Sequence, residues 1–139
     1  MKLYVTYTSP YARLARIVVI EKELADTVSI IEAKTRIANS DYYTVNPSGR
    51  VPYLVNDDGI GMEDSQLICS YLDFLDGKPL LHHPHHQTDL NYCRFEASAR
   101  SMCDWHIGLG ARNAPATERA VACRTFARGR EKPAHGRFV

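Results

Sequence analysis

The sequence predicts an α/β fold in which a β-α-β unit is followed by a β-hairpin, a helix and then a helical region. Three observations lead to this prediction. Two β-rich runs enclose a segment with helical apolar spacing, two short strands enclose an Asp-Gly turn, and an amphipathic segment ends at a glycine. The composition of the 139 residues, 45% hydrophobic and 24% charged, is that of an ordinary globular domain.

The β-α-β unit occupies the first 31 residues. The run "KLYVTY" at residues 2–7 alternates and is rich in β-formers, so it predicts a strand. Ser9-Pro10 marks a helix start, because serine is a favoured N-cap and proline is favoured at the first helical position. Apolar residues keep helical spacing to "KELAD" at residues 22–26, and "TVSII" at residues 27–31 predicts a second, parallel strand.

The rest of the first domain is a loop, a hairpin and a helix. Residues 32–50 are polar and contain turn formers, which predicts a loop with at most a short helix. "VPYLV" and "GIGM" predict two strands joined through "NDDG", and "EDSQLICSYLDFLDG" predicts a helix that stops at Gly77. This order is a thioredoxin-like layout, which we assign to residues 1–77.

A linker and a second region follow. Residues 78–87, "KPLLHHPHHQ", predict a linker whose four histidines flank a proline without an acidic or thiol partner nearby. These histidines therefore indicate surface side chains rather than a zinc site. A helix is predicted from a cap at Thr88 to Ile107, as the first helix of an all-α region that is truncated here.

The charge is distributed unevenly along the chain. Residues 1–107 hold 10 Lys/Arg and 14 Asp/Glu, a balance of −4, whereas residues 108–139 hold 7 and 2, a balance of +5. The basic tail has no interleaved aromatic residues and no zinc pattern, so nucleic-acid binding is not expected. Its arginine, alanine and glycine content predicts an atypical, disordered segment, and we hypothesise that it is the product of a frameshift.

The cysteines and the apolar runs bear on the compartment. Cys69, Cys93, Cys103 and Cys123 are irregularly spaced, which indicates reduced thiols and a cytoplasmic protein. The longest uninterrupted apolar run is "IVVI", so neither a membrane span nor a secretory signal is expected.

Three motifs stand in a fixed order: "SPYARLAR", "NPSGRVPYL" and "EDSQLICSYLD". Together they resemble the N-terminal half of a cytosolic glutathione S-transferase, of the bacterial kind that has serine at the first strand-to-helix junction. The resemblance covers residue 1 to about Ile107. It implies glutathione as co-substrate, a small electrophile as second substrate, no metal, and a homodimer.

The resemblance also implies a role for Ser9. In the family, the matching hydroxyl donates a hydrogen bond to the glutathione sulfur and holds it as the nucleophilic thiolate. Local chemistry alone indicates only a helix cap at Ser9. Thr8 is a second hydroxyl at the same junction, so both residues remain candidates for this contact, and the Ser-Pro pair favours Ser9.

The other implied contacts come from the second and third motifs. Val51-Pro52 resembles the family's cis-proline turn, where the backbone before proline pairs with the cysteinyl backbone of glutathione. Asp64 would take the glutamyl ammonium, and Ser65, at a helix start, would take the glutamyl carboxylate. Lys34 and Arg36 fall where the family often places a cation for the glycyl carboxylate.

Three functions are compatible with the sequence. The first is conjugation of glutathione to an electrophile, and the second is thiol-disulfide exchange on the same fold. Exchange requires a cysteine at the first helix start, where Ser9 stands, and Cys69 is predicted to belong to the core. The third is a non-catalytic glutathione-binding or regulatory module.

Overall fold

The computed structural model of the protein describes residues 1–81 and 90–113. Within these residues the strands and helices follow the predicted order, and the long loop contains the one short helix that the prediction allowed. The elements are β1 (Lys2–Val5), α1 (Pro10–Glu21), β2 (Ser29–Glu32), α2 (Tyr42–Val45), β3 (Tyr53–Val55), β4 (Gly61–Met62), α3 (Ser65–Phe74) and α4 (Leu90–Asn113).

The four strands form one mixed sheet in the order β2-β1-β3-β4. β1 and β2 are parallel, as the crossover through α1 requires, and β3 is antiparallel to both β1 and β4. The predicted thioredoxin-like fold is therefore confirmed.

The hydrophobic core lies between one face of this sheet and the helices α1 and α3. Leu3, Val5 and Leu54 point to this face and are fully buried. They pack against the apolar sides of the two helices in a single cluster, to which α1 contributes Ala12, Ala15, Val18 and Val19, and α3 contributes Ile68 and Leu72. Burying a large aliphatic side chain contributes about 1.5–3 kcal/mol, so this face provides most of the driving force for folding.

The opposite face of the sheet is covered by aromatic side chains. Tyr4 of β1 lies 5.6 Å, between ring centroids, from Tyr42 of α2 and 6.4 Å from Tyr53 of β3. Aromatic pairs at such distances contribute about 0.5–1.5 kcal/mol beyond their buried area. The short helix α2 is thus held against the sheet and extends the fold to three layers.

Position 61 has no room for a side chain unless Tyr53 moves. A Cβ atom there would overlap the hydroxyl oxygen of Tyr53 and lie 2.6 Å from its ring carbon Cζ. The Tyr53 ring therefore lies across the β4 backbone, and a larger residue at position 61 would displace it.

The predicted start of α1 is confirmed, but its end is earlier than predicted. The helix stops at Glu21, and Glu23 adopts a left-handed φ of 54°. The N–H of Leu24 donates to the Val19 carbonyl and that of Glu23 to the Ile20 carbonyl, which is the Schellman pattern of helix termination. Glu23 occupies the position that is usually glycine, so the sequence carries no stop signal there.

The strand boundaries also shift slightly. The N–H groups of Thr27 and Val28 both donate to the Leu24 carbonyl, so these residues form a turn and β2 begins at Ser29. β1 ends at Val5, because the following residues turn back until the Ser9 N–H donates to the Thr6 carbonyl. The segment that precedes the first helix is therefore a tight turn rather than a longer strand.

Helix α4 extends further than predicted, to Asn113 instead of Ile107. Ala111 and Arg112 are strong helix formers, and the glycines at 108 and 110 do not stop the helix. Other predictions lie outside the described residues: the linker beyond Leu81 with its four histidines, the cap at Thr88, and the tail from residue 114.

The ends of α1 and α3 are joined by a buried ion pair. The Lys22 ammonium, 4% exposed, lies 3.7 Å from the fully buried Asp73 carboxylate. It also donates to Asp76 at 2.9 Å and to the Lys78 carbonyl at 2.6 Å. The hydrogen bond from Lys22, followed by one from a backbone N–H, lowers the pKa of Asp76.

Asp73 in turn holds the segment that follows α3. Its carboxylate accepts the N–H groups of Leu80 at 2.9 Å and Leu81 at 3.1 Å. A buried carboxylate requires such partners, since an unpaired buried charge is strongly destabilising. This polar cluster therefore fixes both helix ends and the direction in which the chain leaves the sheet domain.

We predict that Lys22→Met lowers the free energy of unfolding by about 2–3 kcal/mol, because Asp73 keeps its N–H donors but loses its buried counter-charge. Urea unfolding measures this as a lower midpoint with an unchanged slope. The control is Lys2→Met, which removes an exposed lysine from β1 and should change stability by less than about 0.5 kcal/mol. Equal midpoints for the two variants would contradict the prediction.

Candidate functional site

The sheet topology brings the segments named by the three motifs to one edge. β1 and β2 are parallel, with Val5 opposite Glu32, so the loops that follow both strands leave from the same end. β3 is antiparallel, with Tyr53 opposite Tyr4, so the segment before β3 arrives at that end. β4 reverses again and delivers the start of α3 there as well. One edge therefore carries the β1-α1 turn, the turn before β3 and the α3 start.

Ser9 caps the first helix at this edge. Its Oγ atom accepts a hydrogen bond from the Ala12 N–H at 3.2 Å, and its φ and ψ of −80° and 121° are those of an N-cap residue. A hydroxyl can accept and donate at the same time, so the Ser9 O–H proton remains able to donate to a ligand. The structural and the catalytic interpretations of Ser9 are therefore compatible.

Thr8 differs from Ser9 in its surroundings. It lies in the turn before α1 and is exposed, whereas Ser9 is half-buried. Within residues 1–81 and 90–113, only Ser9 of these two places its hydroxyl on the helix backbone. Ser9 is thus the hydroxyl that is held at the helix N-terminus, where the positive end of the dipole favours an anion.

The predicted cis peptide bond between Val51 and Pro52 is confirmed. Pro52 is buried and Val51 packs partly against the core, which fixes the turn. The backbone of Val51 has no hydrogen-bond partner among the residues that the structure describes. It therefore offers its N–H and C=O to an extended ligand, as an additional strand would use them.

The turn before β3 is held by two buried residues that the sequence analysis did not assign to the site. The Tyr42 hydroxyl donates to the Arg50 carbonyl at 2.5 Å, and the Asn46 side-chain amide donates to the same oxygen at 3.1 Å. Tyr42 is 5% exposed and Asn46 is 2% exposed. Burial raises the pKa of Tyr42 to about 12, so its hydroxyl keeps its proton near neutral pH. These two hydrogen bonds therefore hold the carbonyl group of Arg50, the residue that precedes Val51.

Asp64 caps α3 and has an unusual backbone. Its Oδ1 atom accepts the N–H groups of Gln66 at 2.8 Å and Leu67 at 3.1 Å. The φ of Asp64 is 75° with ψ 119°, a conformation that costs a non-glycine residue about 1–3 kcal/mol. Strained residues of this kind occur preferentially at binding sites, and the exposed Asp64 retains its Oδ2 atom for a further contact.

Ser65 is the first residue of α3 and is half-buried. Its N–H group has no partner inside the helix, because the first N–H groups of any helix lack one. Asp64 and Ser65 therefore place a carboxylate oxygen next to free donors, as the two ends of an amino-acid zwitterion require.

A side-chain hydrogen bond joins the turn before β3 to the segment before α3. The Ser48 hydroxyl donates to the Glu63 carboxylate, and its oxygen accepts the Arg50 N–H at 3.2 Å. Neither Ser48 nor Glu63 was predicted as a functional residue. Ser48 stands within the motif "NPSGRVPYL", but a partner fifteen residues away cannot be inferred from local spacing.

Lys34 and Arg36 lie in the loop after β2, which is one of the two edge strands of the sheet. Both side chains are exposed. The backbone of Arg36 is left-handed, with φ 61°, and its N–H donates to the Tyr43 hydroxyl at 3.0 Å. β1 and β3 separate this loop from β4 and the start of α3, so the two cations stand at the opposite end of the edge from Asp64.

Helix α4 approaches the first turn of α1. The Tyr11 hydroxyl donates to the Asp104 carboxylate at 2.5 Å. Desolvation first, and then the hydrogen bond to Asp104, raise the pKa of Tyr11 to about 12. Two residues after Ser9, the site therefore presents a protonated tyrosine paired with a carboxylate.

Cys69 of α3 does not have the properties of a redox thiol. It is half-buried and packs against the core. Burial raises the pKa of its thiol to about 11, so almost none of it is thiolate near neutral pH. Thiol-disulfide exchange needs an accessible thiolate, and the helix start carries Ser9 in its place.

Residues 1–81 and 90–113 contain neither a cluster of metal ligands nor a helix that could span a membrane. No group of three or more His, Cys, Asp or Glu side chains is arranged there to hold a metal ion. No helix in this part of the chain is both long and apolar enough to cross a membrane.

Residues 3–79 match the family model described as glutathione S-transferase, N-terminal domain. The chain is similar to the uncharacterized GST-like protein YibF of Escherichia coli strain K12, at 31% identity over 104 residues, which are 75% of this chain and 50% of that protein. It is also similar to glutathione S-transferase 2 of Saccharomyces cerevisiae, at 33% identity over 58% of this chain and 36% of that protein. The chain thus spans half or less of these relatives.

A solved structure extends the similarity. The glutathione S-transferase of Methylobacillus flagellatus KT, crystallised with GSH bound, superposes with a TM-score of 0.67 at 29% sequence identity. The match covers 92% of this chain and 65% of that one.

We predict that the Cys69 thiol is alkylated at pH 8 at least about tenfold more slowly in the folded protein than in the urea-unfolded chain. Its raised pKa leaves a much smaller thiolate fraction, and its packing restricts access. Iodoacetamide labelling followed by peptide mass spectrometry resolves this cysteine from the others. Rates in the two states that agree within a factor of two would show a reactive thiol and reopen the exchange reaction.

Proposed function

The chain belongs to the glutathione S-transferase family through its N-terminal domain, and from this we propose that it binds glutathione and activates its thiol for attack on an electrophile. One observation carries the proposal. Ser9, the cis Val51-Pro52 turn and the strained Asp64 cap converge on a single edge of the sheet, although they are far apart in sequence.

Glutathione offers chemical groups that suit this edge from end to end. Asp64 would take the glutamyl ammonium through Oδ2, and the Ser65 N–H and hydroxyl would take the glutamyl carboxylate. Val51 would pair with the cysteinyl backbone. Lys34 and Arg36, beyond β1, would attract the glycyl carboxylate at the other end.

Ser9 would act on the sulfur. Its O–H would donate to the thiolate while its oxygen still accepts the hydrogen bond from the Ala12 N–H. The first turn of α1 would therefore keep its cap when the ligand binds. A hydrogen bond to a charged group contributes about 1.5–3 kcal/mol, and one pKa unit corresponds to about 1.4 kcal/mol. Ser9, together with the N-terminus of α1, would therefore lower the thiol pKa by about one to two units, enough to make much of the thiol a thiolate near neutral pH.

The reaction itself is a substitution or an addition without redox chemistry. The thiolate donates an electron pair to the electrophilic carbon, and in a substitution the leaving group departs with the electron pair of the broken bond. The protein holds the thiolate ready, and the thiol proton passes to solvent before the attack. The Tyr11-Asp104 pair lies beside Ser9 and would form part of the electrophile's surroundings.

A second candidate is glutathione binding without turnover, as a binding or regulatory module. The observation that favours it is that the Ser9 Oγ atom already accepts the Ala12 N–H as a helix cap, a role that requires no reaction. We also propose a cytoplasmic location and a homodimer, as the sequence resemblance implies.

Calorimetric titration of the full chain with glutathione tests the binding proposal, and turnover of 1-chloro-2,4-dinitrobenzene separates the two candidates. Binding with turnover supports the transferase, and binding without turnover supports the binding module. Absence of heat at millimolar glutathione, with the protein folded by circular dichroism, rejects both.

We predict that Ser9→Ala reduces kcat for chlorodinitrobenzene by at least about tenfold while the Kd for glutathione rises by less than about threefold. The hydroxyl acts on the thiolate, whereas the binding contacts come from other residues. The matched control is Thr8→Ala, which removes the neighbouring exposed hydroxyl and should preserve turnover. If Thr8→Ala is inactive and Ser9→Ala is not, the catalytic role belongs to Thr8.

We predict that Asp64→Asn weakens glutathione binding by about tenfold or more, because the ammonium loses a charge-assisted partner. Asparagine retains an oxygen for the Gln66 and Leu67 N–H groups and tolerates a left-handed φ, so the α3 start should survive. Asp58→Asn, on the exposed hairpin turn, is the control for loss of charge. An unchanged Kd in Asp64→Asn would place the ligand elsewhere.

A further inference from the structure

The turn at residues 46–50 is a closed hydrogen-bonded unit. The Asn46 side chain accepts the Ser48 N–H at 3.0 Å through Oδ1, and its amide donates to the Arg50 carbonyl at 3.1 Å. The Gly49 N–H donates to the Asn46 carbonyl at 3.0 Å, and Gly49 has a left-handed φ of 67°. The Tyr42 hydroxyl also donates a hydrogen bond to the Arg50 carbonyl. Together these hydrogen bonds fix the segment that leads into Val51-Pro52.

One side chain of this unit reaches outside it. The Ser48 hydroxyl oxygen accepts a hydrogen bond from the Arg50 N–H, and the Ser48 O–H donates a hydrogen bond to the Glu63 carboxylate. Glu63 is the residue immediately before Asp64, so a chain of two hydrogen bonds connects the residue before Val51 to the residue before Asp64. The two segments are otherwise joined through β3 and β4, which pair at only two positions, Leu54 with Met62 and Val55 with Gly61.

We propose that Ser48 and Glu63 are positioning residues that hold the Val51-Pro52 turn and the Asp64-Ser65 helix start at the spacing one glutathione molecule needs. The inference rests on the proposed function, since it assigns these two segments to the cysteinyl and glutamyl parts of the same ligand. It adds two residues that act on the ligand only through their neighbours.

The position of this hydrogen bond argues that folding alone does not account for it. Glu63 is exposed and Ser48 is half-buried, and an exposed hydrogen bond contributes little to folding. Neither residue belongs to the core cluster. A ligand that contacts both segments, however, pays an entropic cost if they move independently, and holding them together before binding removes that cost.

The bond also acts on the strained part of the site. Asp64 follows Glu63 directly and has a φ of 75°. A strained residue persists only where its surroundings hold it, and the Ser48 hydroxyl anchors the side chain that precedes it. Removing the hydroxyl therefore loosens the Asp64 backbone without touching its carboxylate.

The test uses the full chain with Ser48→Ala, which removes the hydroxyl and keeps Glu63. We expect the Kd and the KM for glutathione to rise by about threefold to tenfold, with kcat for chlorodinitrobenzene unchanged because Ser9 is intact. The melting temperature should shift by less than about 2 °C. Ser48→Thr keeps a hydroxyl and should restore the parental Kd.

The matched control is Ser101→Ala. The Ser101 hydroxyl is exposed on α4 and donates to the Ala97 carbonyl of the same helix at 3.1 Å. This variant should leave the Kd, the KM and the melting temperature as in the parent. Glu63→Ala and the double variant with Ser48→Ala complete a cycle. The double variant should lose no more than Ser48→Ala alone, because both single changes remove the Ser48-Glu63 bond and only Ser48→Ala also removes the bond from the Arg50 N–H.

Three outcomes would overturn the inference. An unchanged Kd in Ser48→Ala means that the bond does not position the site. A large loss in Glu63→Ala with none in Ser48→Ala means that Glu63 contacts the ligand directly. A drop in kcat as large as the rise in KM means a general structural defect. If the parent chain itself does not bind glutathione, the proposed function fails first, and this result is separate from the other three.

Discussion

The antiparallel attachment of β3 to β1 determines where the candidate site can form. β2 is parallel to β1, β3 is antiparallel to β1, and β4 is antiparallel to β3. Because of these directions, four chain segments reach one end of the sheet. Each of them is joined to a strand of only two to four residues, which holds the segment near that end. The fully buried residues Leu3, Val5 and Leu54 fix this arrangement, which makes the core the support of the site.

Both helix starts at this edge use their caps for two purposes. Ser9 accepts one helix N–H and keeps a proton to donate, and Asp64 accepts two helix N–H groups at one oxygen and keeps the other. The capping bonds orient each side chain before any ligand arrives. Capping is therefore compatible with the proposed ligand contacts, because each cap residue keeps one group that the helix does not use.

The sequence was sufficient for features that depend on neighbouring residues. The start of α1 at Ser9-Pro10 and the Asp-Gly hairpin follow from local chemistry, and the cis bond at Val51 followed from the family motif. The end of α1 was misplaced because Glu23, not glycine, takes the left-handed position. The Tyr42 bond to Arg50 and the Ser48 bond to Glu63 were missed because only the folded sheet brings those partners together.

The attachment of α4 differs in kind from the packing of the sheet domain. Every member of the core cluster lies within residues 1–81, whereas α4 meets α1 through the Tyr11-Asp104 hydrogen bond. Large apolar side chains of α4 face solvent, with Phe95 78% and Met102 73% exposed. Surface polar contacts contribute little stability individually, and the Tyr92 hydroxyl adds another of this kind, which it donates to the Leu81 carbonyl at 3.4 Å. The proposed glutathione-binding half is thus supported by its own core, while α4 reaches the neighbourhood of Ser9 through a polar contact.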